Sequence, residues 1–417
     1  MTAVTEAPPR ILTLDILRGV AVMGIFSVNI IAFAMPEQAY PNPQAYGLEG
    51  PKDLLLWALN FVVVDGKMRA MFSMLFGASL LLVVEKAEAS GASPASIHYR
   101  RMFWLLIFGL VHYYLIWFGD ILTLYAVVGA VAFLSRKRPA RSLLAAALTF
   151  LLLDLVLLGS GAWFFGVQEA AAHAPGASAQ AIADWAETSA EFQGPSGAAL
   201  ARDLALYRGG YGGILTHRLT VQAGGPLEQL IFAGMETLGY MLLGMAGLKS
   251  GFLTGEWKNG LYRRIALVGI GVGGLAYAIL AWGDWRSGFA PLTVFRHFIV
   301  YSAPFRPLMM IGYAALIILL TRRGGALTLR IAAAGRAAFT NYLGTSLVAS
   351  TIFYGYGLGL YGQASRLEAW LLCPLLWAAM LLWSKPWLDR FQYGPLEWLW
   401  RSLTRLSPQP MRRRARA

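Results

Sequence analysis

The chain has 417 residues, 57% of them hydrophobic and 14% charged, with a formal net charge of +13 and a mean hydropathy of +0.54. That balance is too apolar for an ordinary soluble domain, and the long apolar runs exclude a transmembrane β-barrel, whose strands would read as short alternating segments. The basic residues lie in short loops and a tail beside those runs, where they set topology, so nucleic-acid binding is excluded as the reason for the charge.

In chain order, apolar windows of about 16–25 residues recur, each long enough for a helix to cross roughly 30 Å of hydrocarbon. They predict an all-α, polytopic integral membrane helical bundle of about ten transmembrane helices, at residues 16–34, 68–87, 102–118, 121–135, 141–164, 227–248, 262–282, 306–321, 333–356 and 367–384. Asp53 to Val64 and Pro291 to Ser302 are too short and wrongly placed to cross, and are expected as interfacial or re-entrant helices. Basic clusters at Arg100 and Arg101, at Arg136 to Arg141, at Lys249 to Arg264, at Arg322 to Arg330 and at Arg412, Arg413, Arg414 and Arg416 mark the cytoplasmic side and put both termini there. The first run carries no cleavage site after it and is expected as a retained helix. The lone Cys373 allows no internal disulfide. Three parts follow: an N-terminal bundle (1–164), an extracytoplasmic loop or lid (165–225), and a C-terminal bundle with a basic tail (226–417). The second half of the loop, ARDLALYRGGYGGILTHR, reads as a short amphipathic helix and a glycine hinge.

Polar groups inside the apolar runs are the candidate functional residues, because a bilayer core does not solvate them. On the first span, 100° per residue brings Asp15, Arg18 and Asn29 within about 60° of one face. Asp15 and Arg18 can pair as a topology signal, or Arg18 can meet an anionic ligand, a phosphate or carboxylate. At the predicted outer end of the second span stand Asp65, Lys67 and Arg69, a capped turn or a binding group. FGLVHYYLIWFGDILTLY then places His112 in the hydrocarbon zone, with Asp120 at the outer boundary. Eight helical residues rotate the two apart by about 80°, so their contact requires a turn at Gly119. An imidazole with one nitrogen held has the other for general-base or nucleophilic work, or it is simply bonded to a neighbouring helix. Glu236 is a further acid inside a span. Arg336 is placed to snorkel at the cytoplasmic end of the ninth span, and Asn341 and Thr345 share a face there that would meet either a ligand or another helix. Walker, CxxC, HExxH and GxSxG patterns are all missing, so no metal is expected and ATP hydrolysis, zincin proteolysis and serine esterase chemistry lack their residues.

RILTLDILRGVAVMGI, DGKMRAMFSMLFG, FGLVHYYLIWFGDILTLYAVVG, GRAAFTNYLGTS and RFQYGPLEWLWRSLT together resemble the YeiB-like family of bacterial membrane proteins, whose C-terminal half is classed as a domain of unknown function, DUF418. That resemblance covers nearly the whole chain and implies a bacterial cytoplasmic (inner) membrane location. More distantly, the LDxLRG opening is similar to the transmembrane acyltransferase superfamily, which includes heparan-glucosaminide acetyltransferase-like and O-acyltransferase-like proteins. This second resemblance is confined to the N-terminal half, and the RxxxFH arrangement of the O-acyltransferase branch is not found. It implies transfer of an acyl group from cytoplasmic acyl-CoA (acetyl-CoA) to a sugar, lipid or small-molecule acceptor. His112 would be base or acyl carrier, Asp120 its orienter, and Arg18, with Asp15 and Asn29, a ligand of the donor's phosphates; Lys67, Asp65, Arg336, Asn341 and Thr345 would be substrate-side candidates. A proton-coupled transporter or exporter and a non-catalytic lipid-binding or assembly protein are the alternatives. Membrane lipids and a second copy in a homodimer are the expected partners.

Overall fold

The structure, a computed structural model, describes residues 11–413; Arg414 and Arg416 of the basic tail lie outside them. The described residues are helical throughout, with one isolated antiparallel bridge between Phe391 and Arg412. The helices are α1 (Leu12–Ala34), α2 (Pro51–Leu59), α3 (Lys67–Ala89), α4 (Pro94–Val111), α5 (Leu122–Ala132), α6 (Ala140–Ala172), α7 (Ala179–Gln193), α8 (Gly197–Arg208), α9 (Tyr211–Thr220), α10 (Gly225–Lys249), α11 (Asn259–Arg286), α12 (Pro291–Phe295), α13 (Phe305–Thr321), α14 (Ala326–Arg336), α15 (Ala338–Phe353), α16 (Arg366–Trp370), α17 (Leu372–Arg390) and α18 (Pro395–Arg405). Three helix ends widen into π turns, at Asn60–Val64, His112–Ile116 and Arg296–Tyr301.

Six helical runs among the described residues are long and apolar enough to cross a membrane: α1, Pro51–Ala89, α6, α10, α11 and Arg366–Arg390. A seventh is added if Pro291–Tyr301 and Phe305–Thr321, bent by 52°, form one broken span. The expected count of about ten is not reached, because several of the predicted helices are short or interrupted. The apolar helix Leu122–Ser135 is too short, and the run expected at 333–356 breaks at Ala337 into α14 and α15. Asp53 to Val64 belongs to an apolar run of 39 residues that a turn at Asp65 and Gly66 divides from α3, with Trp57 and Phe61 buried.

At the centre, α10 packs against α3 and α6. A Cβ on Gly244 would fall 1.7 Å from the Met74 carbonyl, and one on Gly77 would fall 2.0 Å from that of Met241, so the α3 and α10 backbones touch. Small residues at a crossing are how membrane helices gain packing when lipid supplies no hydrophobic drive. The segment after residue 165 is more helical than a plain loop. α6 continues to Ala172, the alanine-rich acidic stretch forms α7 with Ser178 capping the Ala181 amide at 3.1 Å, and the hinge at Gly209 and Gly210 separates α8 from α9.

Candidate functional site

Helix α4 ends one residue before His112, which opens the π turn His112–Ile116; such turns carry an extra residue and recur at functional sites. Trp117 is extended and the chain doubles back through Gly119, where a Cβ would fall 2.2 Å from the Trp117 ring. Only glycine fits that turn, and it returns Asp120 to His112. The Asp120 carboxylate accepts a hydrogen bond from His112 Nδ1 at 2.9 Å, with the two side chains 0% and 1% exposed. Its other oxygen accepts from the Thr123 amide at 2.8 Å, and Gln229 Nε2 of α10 donates to the Asp120 carbonyl at 2.6 Å. With Nδ1–H donating, Nε2 presents its lone pair, and it has no hydrogen-bond partner among the described residues. The Tyr342 and Trp117 rings lie 5.2 and 6.3 Å from the imidazole, centroid to centroid. The arrangement suits a general base: an oriented imidazole with a bare nitrogen in a dry setting.

At the opposite end of the bundle, Arg18 donates to Asp15 at 3.1 Å and to Ser79 Oγ at 2.7 Å. Arg101 of α4 lies within electrostatic range of Arg18 and Arg401 and stacks 4.2 Å over the Trp400 ring, so three guanidinium groups gather there. Asn29, expected on the same stripe, lies further along α1 and takes no part in this group.

The substrate-side candidates disperse. Asp65 accepts from the Tyr40 hydroxyl. Lys67 is fully buried, donates to the Phe61 carbonyl at 2.6 Å and stands 3.0 Å from the Tyr277 ring centroid. A cleft lined by Tyr40, Trp57, Asn60, Phe61, Asp65 and Arg366 has room for about one water molecule. Asn341 is occupied by structure, donating to the Ala334 carbonyl and Ser384 Oγ and accepting from Trp383 Nε1 at 2.9 Å. Thr345 donates within its own helix to Tyr342, and Arg336 donates to the Gln392 carbonyl at 3.2 Å.

Several pairings escaped the sequence reading, which placed Glu236 inside a span without a partner. Glu236 is clamped by Arg69 and, at 2.9 Å, by Arg306, with the Tyr240 hydroxyl at 2.7 Å. Asp284 accepts from His297 Nδ1 at 2.8 Å, a second His–Asp pair. Glu397 caps α15 from α18, and Arg218 of α9 is buried against the π turn that carries His112. The alternation of acids and bases along single helices hints at none of these pairings; the signal for Glu397 was the unusual YGPLEW segment itself.

Compared with known proteins, the chain is 34% identical to uncharacterized protein YeiB of Escherichia coli (strain K12) over 411 residues, covering 95% of this chain and 96% of the relative. The chain belongs to the YeiB-like DUF418 family. It is also 31% identical over 420 residues to uncharacterized protein YxaH of Bacillus subtilis (strain 168), covering 98% and 97%. A third relative, an uncharacterized 39.9 kDa protein in the amylase 3' region of Bacillus acidopullulyticus, is 23% identical over 409 residues, covering 95% and 94%. The family model described as "Protein of unknown function (DUF418)" matches residues 248–407. No solved structure matches this YeiB-like chain.

Proposed function

We propose that this membrane protein is an acyltransferase of the bacterial cytoplasmic membrane, with both termini inside, moving an acyl group from acyl-CoA to a sugar, lipid or small-molecule acceptor. The observation that carries the reading is His112, buried and oriented by Asp120 with Nε2 bare. In the step this allows, Nε2 takes the proton of an acceptor hydroxyl as its oxygen attacks the thioester carbon. The carbon–sulfur bond then breaks, and the leaving thiolate takes the proton back from the imidazolium, giving ester and coenzyme A thiol. Asp120 holds the ring and offsets its transient charge. Arg18 and Arg101, gathered at the predicted cytoplasmic end, suit the donor's phosphates. Membranes carrying the wild-type chain should transfer label from acetyl-CoA, and His112→Ala should abolish it; transfer retained by the variant sinks the role of His112.

A second reading, a proton-coupled transporter, draws on the buried charges Lys67, Glu236 and Arg306 within the bundle. It predicts flux that depends on a pH gradient and consumes no acyl-CoA. A lipid-binding or assembly protein would show neither activity.

A further inference from the structure

Arg218, on α9 of the lid, is fully buried. Its Nη1 donates to the Tyr114 carbonyl at 3.5 Å, inside the π turn that begins at His112. Its Nε and Nη2 have no acceptor within hydrogen-bonding geometry among the described residues, and no carboxylate comes within ion-pair distance. Those two donors form one edge of the guanidinium fork, the edge that grips an oxyanion through two parallel bonds. An arginine does not escape burial by losing its proton, so an uncompensated one is expensive wherever water is excluded. The surroundings do not supply the charge. The guanidinium lies 5.8 Å from the Tyr354 ring, whose neutral hydroxyl is its neighbour and brings no charge, and Tyr354 shares a core cluster with Tyr207 and Trp117. Trp117 Nε1 is a further buried donor without an acceptor among the described residues, and its ring is one of the two beside His112. Arginine, tryptophan and tyrosine donors thus collect by the His112 turn, and the oxygens nearest them, the Tyr354 hydroxyl and the Gln222 amide, are neutral.

From this geometry we infer that the space between α9 and the His112 turn binds an oxyanion, a phosphate or carboxylate carried by the substrate, and that Arg218 is its bidentate ligand. Only the identification of that anion as part of the acceptor rests on the acyl-transfer reading; the binding itself does not. The lid then serves as more than a cover. It brings a fixed positive charge to the end of the bundle where His112 works, and selects anionic acceptors from neutral ones.

The test uses the full chain in nanodiscs, with thermal unfolding followed by tryptophan fluorescence. In neutral phosphatidylcholine, inorganic phosphate should raise the melting temperature saturably; if the anion is a lipid headgroup, phosphatidylglycerol discs should do so instead. Either response supports the site and tells the two sources apart. Arg218→Met and Arg218→Gln should weaken the response at least tenfold in apparent affinity, and without anion should melt no lower than wild type, since each removes an uncompensated charge. Unchanged wild-type melting with both probes, a response that survives the substitutions, or variants that fail to fold without anion would each overturn the inference. Absence of acetyl transfer from wild-type membranes, with anion binding intact, would count against the chemistry at His112 alone.

Discussion

Glu397 of α18 holds the first turn of α15 through Thr340. Its carboxylate accepts from the Phe339 and Thr340 amides at 2.7 and 3.1 Å, and Thr340 Oγ1 donates to it at 2.6 Å. The break at Ala337 frees those amides, and a carboxylate at a helix N-terminus answers both their hydrogen bonds and the helix dipole. Burial raises the Glu397 carboxyl, while the bonds from Thr340 and Phe339 oppose the rise. Glu397→Ala should therefore cost about 1–3 kcal/mol by leaving partly buried donors unmet, and Glu397→Gln, which keeps one acceptor oxygen, clearly less. Melting of the two variants in detergent checks this; equal melting of both with wild type would show that α18 does not hold α15.

GRAAFTNYLGTS and RFQYGPLEWLWRSLT, two separate blocks in the sequence, are thus one structural joint. Local chemistry was legible: the Asp15–Arg18 pair, the requirement for a turn at Gly119 if His112 was to meet Asp120, and the amphipathic helix before the Gly209–Gly210 hinge. Each depends on neighbours within a few turns of chain. Glu236 with Arg69 and Arg306, or Arg218 against Tyr114, join residues 70 to 167 positions apart, and a helical period carries no information about which faces meet. Hydropathy failed at the breaks for a related reason. Ala337 and the π turns keep an apolar composition while the backbone departs from the α-helix, and the freed groups are satisfied from other elements.

Asp120→Asn tests the orientation of His112. The amide keeps an oxygen for the Thr123 amide or for His112 Nδ1, but it removes the charge that offsets an imidazolium and lets the ring take the other tautomer. Transfer of label from acetyl-CoA should fall by about 10²–10⁴-fold, with melting little changed. Activity within a factor of two of wild type would make the pair a packing feature.

Asp203 ties α8 to the loop after α15. It accepts from the Tyr361 hydroxyl at 2.9 Å, while Arg208 donates to the Tyr361 carbonyl at 2.7 Å. Burial raises the Asp203 carboxyl, against the opposing pull of Tyr361 and His217. An acid with a raised folded value binds its proton more tightly in the folded state. Its contribution is thus greatest in acid and declines as pH rises through the folded value, above the ordinary 3.8. Asp203→Asn should flatten that decline in melting temperature over the interval from the ordinary 3.8 towards neutrality and stand at or above wild type at neutral pH. A wild-type profile that rises over this interval, with the variant parallel to it, would contradict the assignment.

Glu236→Gln separates a structural clamp from a proton relay. The carboxylate joins α10 to Arg69 of α3 and Arg306 of α13, and Arg306 also donates to the Phe298 carbonyl at 2.6 Å and to Ser302 Oγ at 2.9 Å, closing the π turn before α13. Removing its charge leaves two guanidinium groups facing a neutral amide inside the bundle. For a buried pair broken on one side this costs about 3–5 kcal/mol, so the variant should melt far below wild type and expose the α3–α10–α13 core to protease. A relay predicts otherwise, because a group that cycles between protonated and ionised forms must be tolerated neutral. Under that reading the variant keeps its melting temperature and loses pH-driven flux. The doubly paired geometry favours the clamp: the carboxylate is held at once by two arginines and a tyrosine hydroxyl, whereas His112 keeps a nitrogen without a partner among the described residues.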